Sequence, residues 1–163
     1  MRKNSLTIFL GLLVVTGAWL LDRLTKNLVI EGWIRQGPVF LSWVQTTVHH
    51  NFGLLGNLPF PRWSIFFLTG TAMLLLAYGL YDALKGKNAR NFLSLSLVMG
   101  GALGNLYDRL ALGYVFDWLM FFKTSIINLA DAFITLGLIM YAVNHLRKQA
   151  CREGVDEIPA VNC

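Results

Sequence analysis

Four long apolar segments constrain this chain more than any other feature of its sequence. Each is close to the roughly 20 residues that an α-helix needs to cross a hydrocarbon layer about 30 Å thick. Their approximate bounds are 5–30, 63–81, 92–112 and 126–146. Of the 163 residues, 55% are hydrophobic and 14% are charged, which is more apolar than an ordinary soluble domain. We therefore predict an all-α membrane protein with four transmembrane helices in residues 1–147, followed by a polar cytoplasmic tail, 148–163.

The basic residues indicate how these helices are oriented. Lysine and arginine are enriched in the cytoplasmic loops of membrane proteins. In a four-helix arrangement, three basic clusters fall on the same side of the membrane, and their members are Arg2 and Lys3, then Lys85, Lys87 and Arg90, then Arg147, Lys148 and Arg152. Both termini are therefore expected in the cytoplasm. Since the net charge of +5 resides mainly in these clusters, no nucleic-acid partner is expected.

The outer loop, residues 31–62, differs in composition from the apolar segments. Glycines and prolines punctuate short β-favouring runs at 39–44 and 46–48, a pattern typical of strands joined by turns. The loop also contains Trp33 and Trp43, and tryptophan is enriched at membrane–water interfaces. The sequence therefore predicts a small β-rich extracytoplasmic platform between helices 1 and 2.

Small residues recur along the third apolar segment. Gly100 and Gly104 are four residues apart, and Asp108 follows at the same interval. Because small side chains let a neighbouring helix approach closely, this face is predicted to be a helix–helix contact that directs Asp108 into the bundle. Asn128 and Asp131 share a face of the fourth segment. The two polar faces are expected to meet near the outer surface.

Carboxylates near these segments are expected to have a structural or functional role, because inserting a lone aspartate at the centre of a bilayer costs at least about 2.5–3.5 kcal/mol of free energy. Asp22 and Lys26 are four residues apart on one helix, so an ion pair explains them. Asp108 is next to Arg109, and a buried pair of these two is the favoured interpretation. Arg109 could alternatively hold a substrate carbonyl or phosphate.

Asp117 and Asp131 have no cation within one helical turn of sequence. Two carboxylates in a partly dry, aromatic-lined notch ionise together only with difficulty, so such a pair should share a proton. This is the arrangement of an aspartyl hydrolase, in which one carboxylate activates water and the other polarises the scissile carbonyl. The spacing alone leaves a structural role or a proton relay equally open.

Motifs typical of other catalytic mechanisms are absent from the sequence. The sequence contains no His-Glu-x-x-His zinc motif, no Gly-x-Ser-x-Gly turn and no phosphate-binding loop. His49 and His50 are adjacent, so their side chains would face apart in an extended strand, and we interpret them as polar loop residues. No metal and no other cofactor is expected.

At these positions the chain resembles the lipoprotein signal peptidases, the type II signal peptidases of bacteria. Five blocks match in family order, at 22–26 (Asp-Arg-Leu-Thr-Lys), 51–53 (Asn-Phe-Gly), 100–109, 113–117 and 128–131 (Asn-Leu-Ala-Asp). Each block is weak alone, but five in order across nearly the whole membrane domain are specific. Leu54 and Leu55 are bulkier than the small residues usual in the family, so the resemblance implies an altered pocket roof.

The resemblance implies a membrane-embedded aspartyl endopeptidase whose catalytic dyad is Asp117 and Asp131. The implied substrate-binding residues are Asn51, Gly53, Asn105, Arg109 and Asn128. The residues expected to support the scaffold are Asp22, Lys26, Asp108, Gly100 and Gly104.

The implied substrate is a prolipoprotein whose cysteine carries diacylglycerol, cut on the amino side of that cysteine. The expected partners are this lipid-modified precursor and membrane lipid, and the chain is expected to be a monomer in the bacterial inner membrane with its active site near the outer face. One alternative is a proton-coupled carrier in which Asp108, Asp117 and Asp131 titrate during transport. The other is an inactive relative that binds lipidated precursors without cutting them.

Overall fold

A computed structural model describes residues 2–39, 43–53, 58 and 60–153. Four long helices dominate this part of the chain, and their bounds are α1 (Arg2–Ile30), α2 (Arg62–Lys85), α3 (Ala89–Ala111) and α4 (Leu129–Glu153). Four short strands complete it, and their bounds are β1 (Gly37–Pro38), β2 (Val44–Asn51), β3 (Val115–Phe121) and β4 (Ser125–Ile127). Leu54 and Leu55, for which an altered pocket roof was expected, lie outside the described residues.

Three of the four helices are long and apolar enough to cross a membrane, over residues 4–30, 62–85 and 129–149. Within the described residues, α3 is the long helix that does not qualify. The physical reason is its central position, because α3 packs against α1, α2 and α4 and buries small and polar side chains, such as Ser94 and Asn105, against them. A helix that faces protein on most sides does not need a lipid-like surface.

The four strands form one antiparallel sheet in the order β1-β2-β3-β4. We call this sheet the platform. The first two strands come from the segment between α1 and α2, as predicted, but β3 and β4 come from the segment between α3 and α4. The prediction of a platform built only between helices 1 and 2 was therefore incomplete. His49 and His50 lie within β2, not in a loop.

The predicted start of the fourth helix, at 126, is wrong. Ser125–Ile127 is strand β4, which pairs with residues 119–121 of β3, and α4 begins at Leu129. The turn between the strands uses Phe122 and Lys123, whose φ angles are +50° and +58°. At its other end α4 continues to Glu153, so the first part of the predicted tail, 148–163, is helical.

Gly113 redirects the chain from α3 into β3. Its φ of +82° is favourable for glycine and strained for residues with a side chain. Because α3 ends at Ala111 and β3 begins at Val115, this turn places Asp117 of the platform directly beside the end of the bundle.

Gly100 and Gly104 lie where α3 contacts α1. A Cβ atom added at Gly100 would lie 2.7 Å from both the Cβ atom of Ala18 and the carbonyl oxygen of Val15. A Cβ atom at Gly104 would lie 2.6 Å from Oδ2 of Asp22. These distances leave no room for a methyl group, so the close approach of the two helices depends on both glycines.

We predict that Gly100→Ala destabilises the protein, because its methyl group would force α1 and α3 apart. Gly17→Ala is the matched control, since a Cβ atom added at this α1 position meets nothing within 4 Å. The two variants should differ in unfolding free energy by about 1–3 kcal/mol, the usual range for overpacking. Reversible unfolding in mixed detergent micelles, followed by circular dichroism, measures the difference. Equal stabilities would contradict the predicted role of Gly100.

Candidate active site

Asn128 joins the two aspartates that the sequence singled out. Asp117 lies in β3 and is 1% exposed, whereas Asp131 lies in the first turn of α4. The side-chain amide of Asn128 donates to Oδ1 of Asp117 at 2.6 Å, and its backbone N–H donates to Oδ2 of Asp131 at 3.2 Å. The carboxylates therefore flank a single fully buried asparagine.

The local sequence Asn128-Leu129-Ala130-Asp131 explains the position of Asp131. The Asp131 N–H donates to Oδ1 of Asn128 at 2.9 Å, and the Asn128 N–H donates back to the Asp131 carboxylate. This reciprocal pair is a capping box, with aspartate in place of the usual glutamate. A carboxylate in the first turn also interacts favourably with the helix dipole. The start of α4 therefore holds Asp131 in one orientation.

Asn105 of α3 contributes a second bridge. Its amide nitrogen donates to Oδ1 of Asp131 at 2.7 Å, while its oxygen accepts from the side chain of Asn128 at 3.0 Å. An amide can donate and accept at the same time, so Asn105 links helix α3 to both residues at the start of α4.

Asn51 of β2 contacts the carboxylate oxygen of Asp117 that Asn128 does not reach. Its amide nitrogen donates to Oδ2 of Asp117 at 3.1 Å, and its oxygen accepts from the N–H of Gly53 at 3.0 Å. The carbonyl of Gly53 accepts from Arg109 at 3.4 Å, and Arg109 also donates to the carbonyl of Asn105 at 3.5 Å. The structure thus brings together all the residues predicted to be catalytic or substrate-binding, while their roles remain predictions.

The predicted pairing of Asp108 with Arg109 is wrong. Asp108 contacts Nζ of Lys26 and Nη2 of Arg23, each at 2.6 Å, and Lys26 also lies 2.8 Å from Asp22. Successive residues of a helix point about 100° apart, so Asp108 faces α1 while Arg109 faces the site. We call Asp22, Arg23, Lys26 and Asp108 the charge cluster.

Arg23 is the member of the charge cluster that sequence reasoning missed. Its guanidinium contacts both carboxylates of the cluster, Asp22 at 3.1 Å and Asp108 at 2.6 Å. It also lies over the ring of Tyr107, 4.9 Å from the ring centre. The available signal was its place one residue after Asp22, although a neighbour in sequence on a helix seldom shares a face.

The charge cluster is connected to the backbone on which both site aspartates lie. Oδ2 of Asp108 accepts from the N–H of Phe116 at 3.1 Å, and Oδ1 of Asp22 accepts from the N–H of Ala130 at 3.0 Å. Phe116 directly precedes Asp117, and Ala130 directly precedes Asp131. The supporting carboxylates therefore anchor the chain at the residue before each site aspartate.

Burial raises the pKa of Asp117 to about 6 from its ordinary value of 3.8, and the nearby charge of Asp131 acts in the same direction. The amides of Asn51 and Asn128 and the charge of Lys26 oppose this rise in pKa without cancelling it. A carboxyl group of this kind holds a proton at a pH where an ordinary aspartate is ionised. Asp117 can therefore donate a proton at a higher pH than an ordinary aspartate.

A cavity of about 250 Å³ opens beside Asn51 and Arg109, between the platform and the start of α2. Its described lining residues are Asn51, Phe52, Arg62, Ile65, Phe66, Arg109, Leu110, Gly113 and Tyr114. Apolar walls with a few convergent polar groups are typical of a ligand site. Among the described residues, no group of histidine, cysteine, aspartate and glutamate side chains is arranged to hold a metal ion.

The fold and site define a class, a helical membrane protein in which asparagines hold two aspartates, one in a strand of a small sheet and one in the first turn of a helix. The family model described as "Signal peptidase (SPase) II" matches residues 14–147, and the chain belongs to this family.

Named relatives and solved structures agree with the family assignment. The chain is 36% identical to the "Lipoprotein signal peptidase" of Bartonella henselae, over 89% of this chain and 91% of that protein. It is 30% identical to the protein of the same name from Rickettsia canadensis, over 96% of this chain and 87% of that protein. A solved structure described as a bacterial membrane enzyme superposes with a TM-score of 0.75 at 25% identity, covering 93% of this chain and 94% of the other.

We predict that Lys26→Met strongly destabilises the protein. Lys26 is 1% exposed and contacts two buried carboxylates, and removing one partner of a buried ion pair costs about 3–5 kcal/mol. Lys148→Met, which changes an exposed lysine of α4, should stay within about 0.5 kcal/mol of the parent protein. Unfolding in mixed detergent micelles measures both variants. A small loss for Lys26→Met would mean that the charge cluster does not stabilise the fold.

Proposed function

We propose that this protein is an aspartic endopeptidase that removes the signal peptide of diacylglyceryl-modified prolipoproteins, cutting on the amino side of the lipidated cysteine. The observation that carries the proposal is the pair Asp117 and Asp131 bridged by Asn128. Asn51, which donates a hydrogen bond to Asp117, also lines the neighbouring cavity. Membership of the signal peptidase II family supports a precursor peptide as substrate, and the names of the relatives support a lipoprotein precursor.

The two aspartates take different parts in the proposed reaction. Asp117 is the proton donor, because burial raises its pKa to about 6, and Asp131, at the start of α4, is the general base. Asp131 accepts a proton from water as the water oxygen attacks the scissile carbonyl carbon, while Asp117 donates its proton to the carbonyl oxygen. When the tetrahedral intermediate collapses, its C–N bond breaks, Asp131 gives its proton to the leaving nitrogen, and Asp117 recovers a proton from a hydroxyl group of the intermediate as the carbonyl re-forms.

The neighbouring polar residues would position the peptide. The Arg109 guanidinium is only weakly engaged by carbonyl oxygens, at 3.4 and 3.5 Å, so its remaining N–H groups can donate to a substrate carbonyl. Asn51 and Asn105 hold the catalytic carboxylates through their amides and would keep both orientations fixed when substrate enters. Precise placement of reacting groups is itself a large part of catalysis.

We further propose that all four helices cross the bacterial inner membrane with both termini in the cytoplasm. The placement of basic residues supports this orientation. The stacked rings of Trp43 and Phe122, 5.4 Å apart on the platform, are suited to a membrane interface. In this orientation the platform and the site lie at the outer face. A signal-peptide helix could enter between the spans while its lipid stays in the outer leaflet, and a monomer suffices for the reaction.

We predict that Asp117→Asn and Asp131→Asn each lower kcat by a factor of roughly 10²–10⁴, the usual contribution of a positioned acid or base. Asp82→Asn is the matched control, because Asp82 is an exposed aspartate of α2 far from the site in sequence. Purified protein and a diacylglyceryl-modified precursor, separated by gel electrophoresis, show cleavage as a size shift. Normal cleavage by both site variants would refute the dyad. No cleavage by the parent protein would favour a carrier or a binding protein.

We predict that kcat/KM falls as the pH rises above about 6, because Asp117, whose pKa is raised to about 6, then loses the proton that the reaction needs. The decline should be roughly tenfold per pH unit for a single essential proton. The same cleavage assay at a series of pH values measures it, with Asp82→Asn as the control. A kcat/KM that instead rose through this range would assign the proton-accepting part to Asp117.

A further inference from the structure

A second and larger cavity, of about 680 Å³, lies on the other side of the platform. Its described lining residues are Val29, Ile30, Gly32, Ile34, Arg35, Gln36, Val48, His50, Leu112, Tyr114 and Phe116. It is bounded by the ends of α1 and α3, by strands β2 and β3, and by the segment that follows α1. Its volume is in the range of small-molecule sites, about 300–1,000 Å³. We call it the outer cavity.

Strand alternation separates the outer cavity from the active site. His50 pairs with Phe116 across β2 and β3, and both line the outer cavity. Their neighbours Asn51 and Asp117 bond to each other and belong to the active site. Because successive side chains of a strand point to opposite faces, Asn51 and Asp117 face away from the outer cavity, and the two cavities share Tyr114 at the end of the sheet.

The polar part of the outer cavity consists of hydrogen-bond donors without a negative partner. Arg35, Gln36 and His50 line it, and no aspartate or glutamate is among its described lining residues. Within the part of the chain that the structure describes, the Arg35 side chain forms no hydrogen bond or ion pair. His50 is oriented by the ring of Tyr114, whose centre lies 4.3 Å away. A charged guanidinium beside further donors is suited to an anion with several oxygens, such as a phosphate.

The apolar part of the outer cavity lies at the ends of α1 and α3. Ile30 is the last residue of α1, and Leu112 immediately follows α3. They are 58% and 43% exposed. Trp33, in the turn after α1, is 77% exposed, as expected of an aromatic residue at a membrane interface. An occupant with an anionic head and apolar chains would satisfy both parts of the cavity at once.

We propose that the outer cavity binds an anionic membrane phospholipid. Arg35 and His50 hold the phosphate of the headgroup, and Ile30 and Leu112 contact the start of the acyl chains. The bound lipid joins the platform to the ends of α1 and α3 on the side away from the carboxylates. This site concerns lipid that is not cleaved, and it does not depend on the proposed peptidase reaction.

Calorimetric titration of the purified full-length protein in detergent tests the proposal. The ligand is short-chain phosphatidylglycerol below its micellar concentration, compared with short-chain phosphatidylcholine and with glycerol 3-phosphate, which lacks acyl chains. We expect saturable binding of phosphatidylglycerol and at least tenfold weaker binding of both comparators. Arg35→Gln should weaken the binding of phosphatidylglycerol by about tenfold, since it removes a charge-assisted hydrogen bond.

Three variants sharpen the test. Lys123→Gln removes an exposed cation from the turn between β3 and β4, outside the described lining of the outer cavity, and should bind like the parent protein. Val48→Trp should abolish binding, because Val48 lines the cavity and the larger side chain would fill it. Asp117→Asn should bind with unchanged affinity, since its side chain belongs to the opposite face of the sheet.

Several outcomes would overturn the proposal. They are no saturable binding, equal binding of phosphatidylcholine, equal binding of glycerol 3-phosphate, or unchanged affinity in Arg35→Gln. Equal binding of glycerol 3-phosphate would identify a site for free phosphate instead of a lipid site. The titration contains no precursor peptide, so its failure is distinguishable from failure of the proposed peptidase activity.

Discussion

The charge cluster between α1 and α3 is the interaction on which the rest of the site depends. Two carboxylates and two cations lie there, and Asp22, Lys26 and Asp108 are each no more than 1% exposed. Burying an unpaired ion at such a position costs desolvation free energy, and mutual pairing together with further hydrogen bonds offsets that cost. Here the further hydrogen bonds come from the backbone of Phe116 and Ala130. The same contacts that make the buried charges tolerable therefore fix the strand and the helix that carry the two site aspartates.

Neutral amides then surround the two site aspartates, in contrast to the cations of the charge cluster. Asn51, Asn105 and Asn128 contact the site carboxylates without adding a cation beside them. A lysine at one of these positions would favour ionisation of both aspartates, whereas an amide donates hydrogen bonds and leaves burial as the larger influence on the Asp117 pKa. One small membrane protein thus holds two sets of aspartates in different surroundings, one paired with cations and the other hydrogen-bonded to amides.

Much of this arrangement could be predicted from local patterns, and the remainder depends on pairing between distant segments. Helix lengths follow from apolar runs, and the contact at Gly100 follows from small-residue spacing. The helical interpretation of 126–127 was wrong because a short apolar run fits a strand as well as a helix, and β4 forms only through its pairing with β3. The Asn128-x-x-Asp131 pattern was a usable signal for the true start of α4. The partners of Asp108 could not be read from its neighbour Arg109, because the cations that contact it, Arg23 and Lys26, lie on α1, and Lys26 is 82 positions earlier in the chain.

The two faces of β2 restrict how the sequence can vary. His50 and Asn51 are adjacent in this strand, and their side chains point to opposite sides of the sheet. His50 lines the outer cavity, and Asn51 contacts Asp117. Adding or deleting a single residue next to them would exchange their surroundings, because the side-chain period of a strand is two. An imidazole would then replace the amide beside Asp117, and the outer cavity would receive the amide. Length changes among related chains should therefore accumulate in the turns that border this strand and avoid its interior.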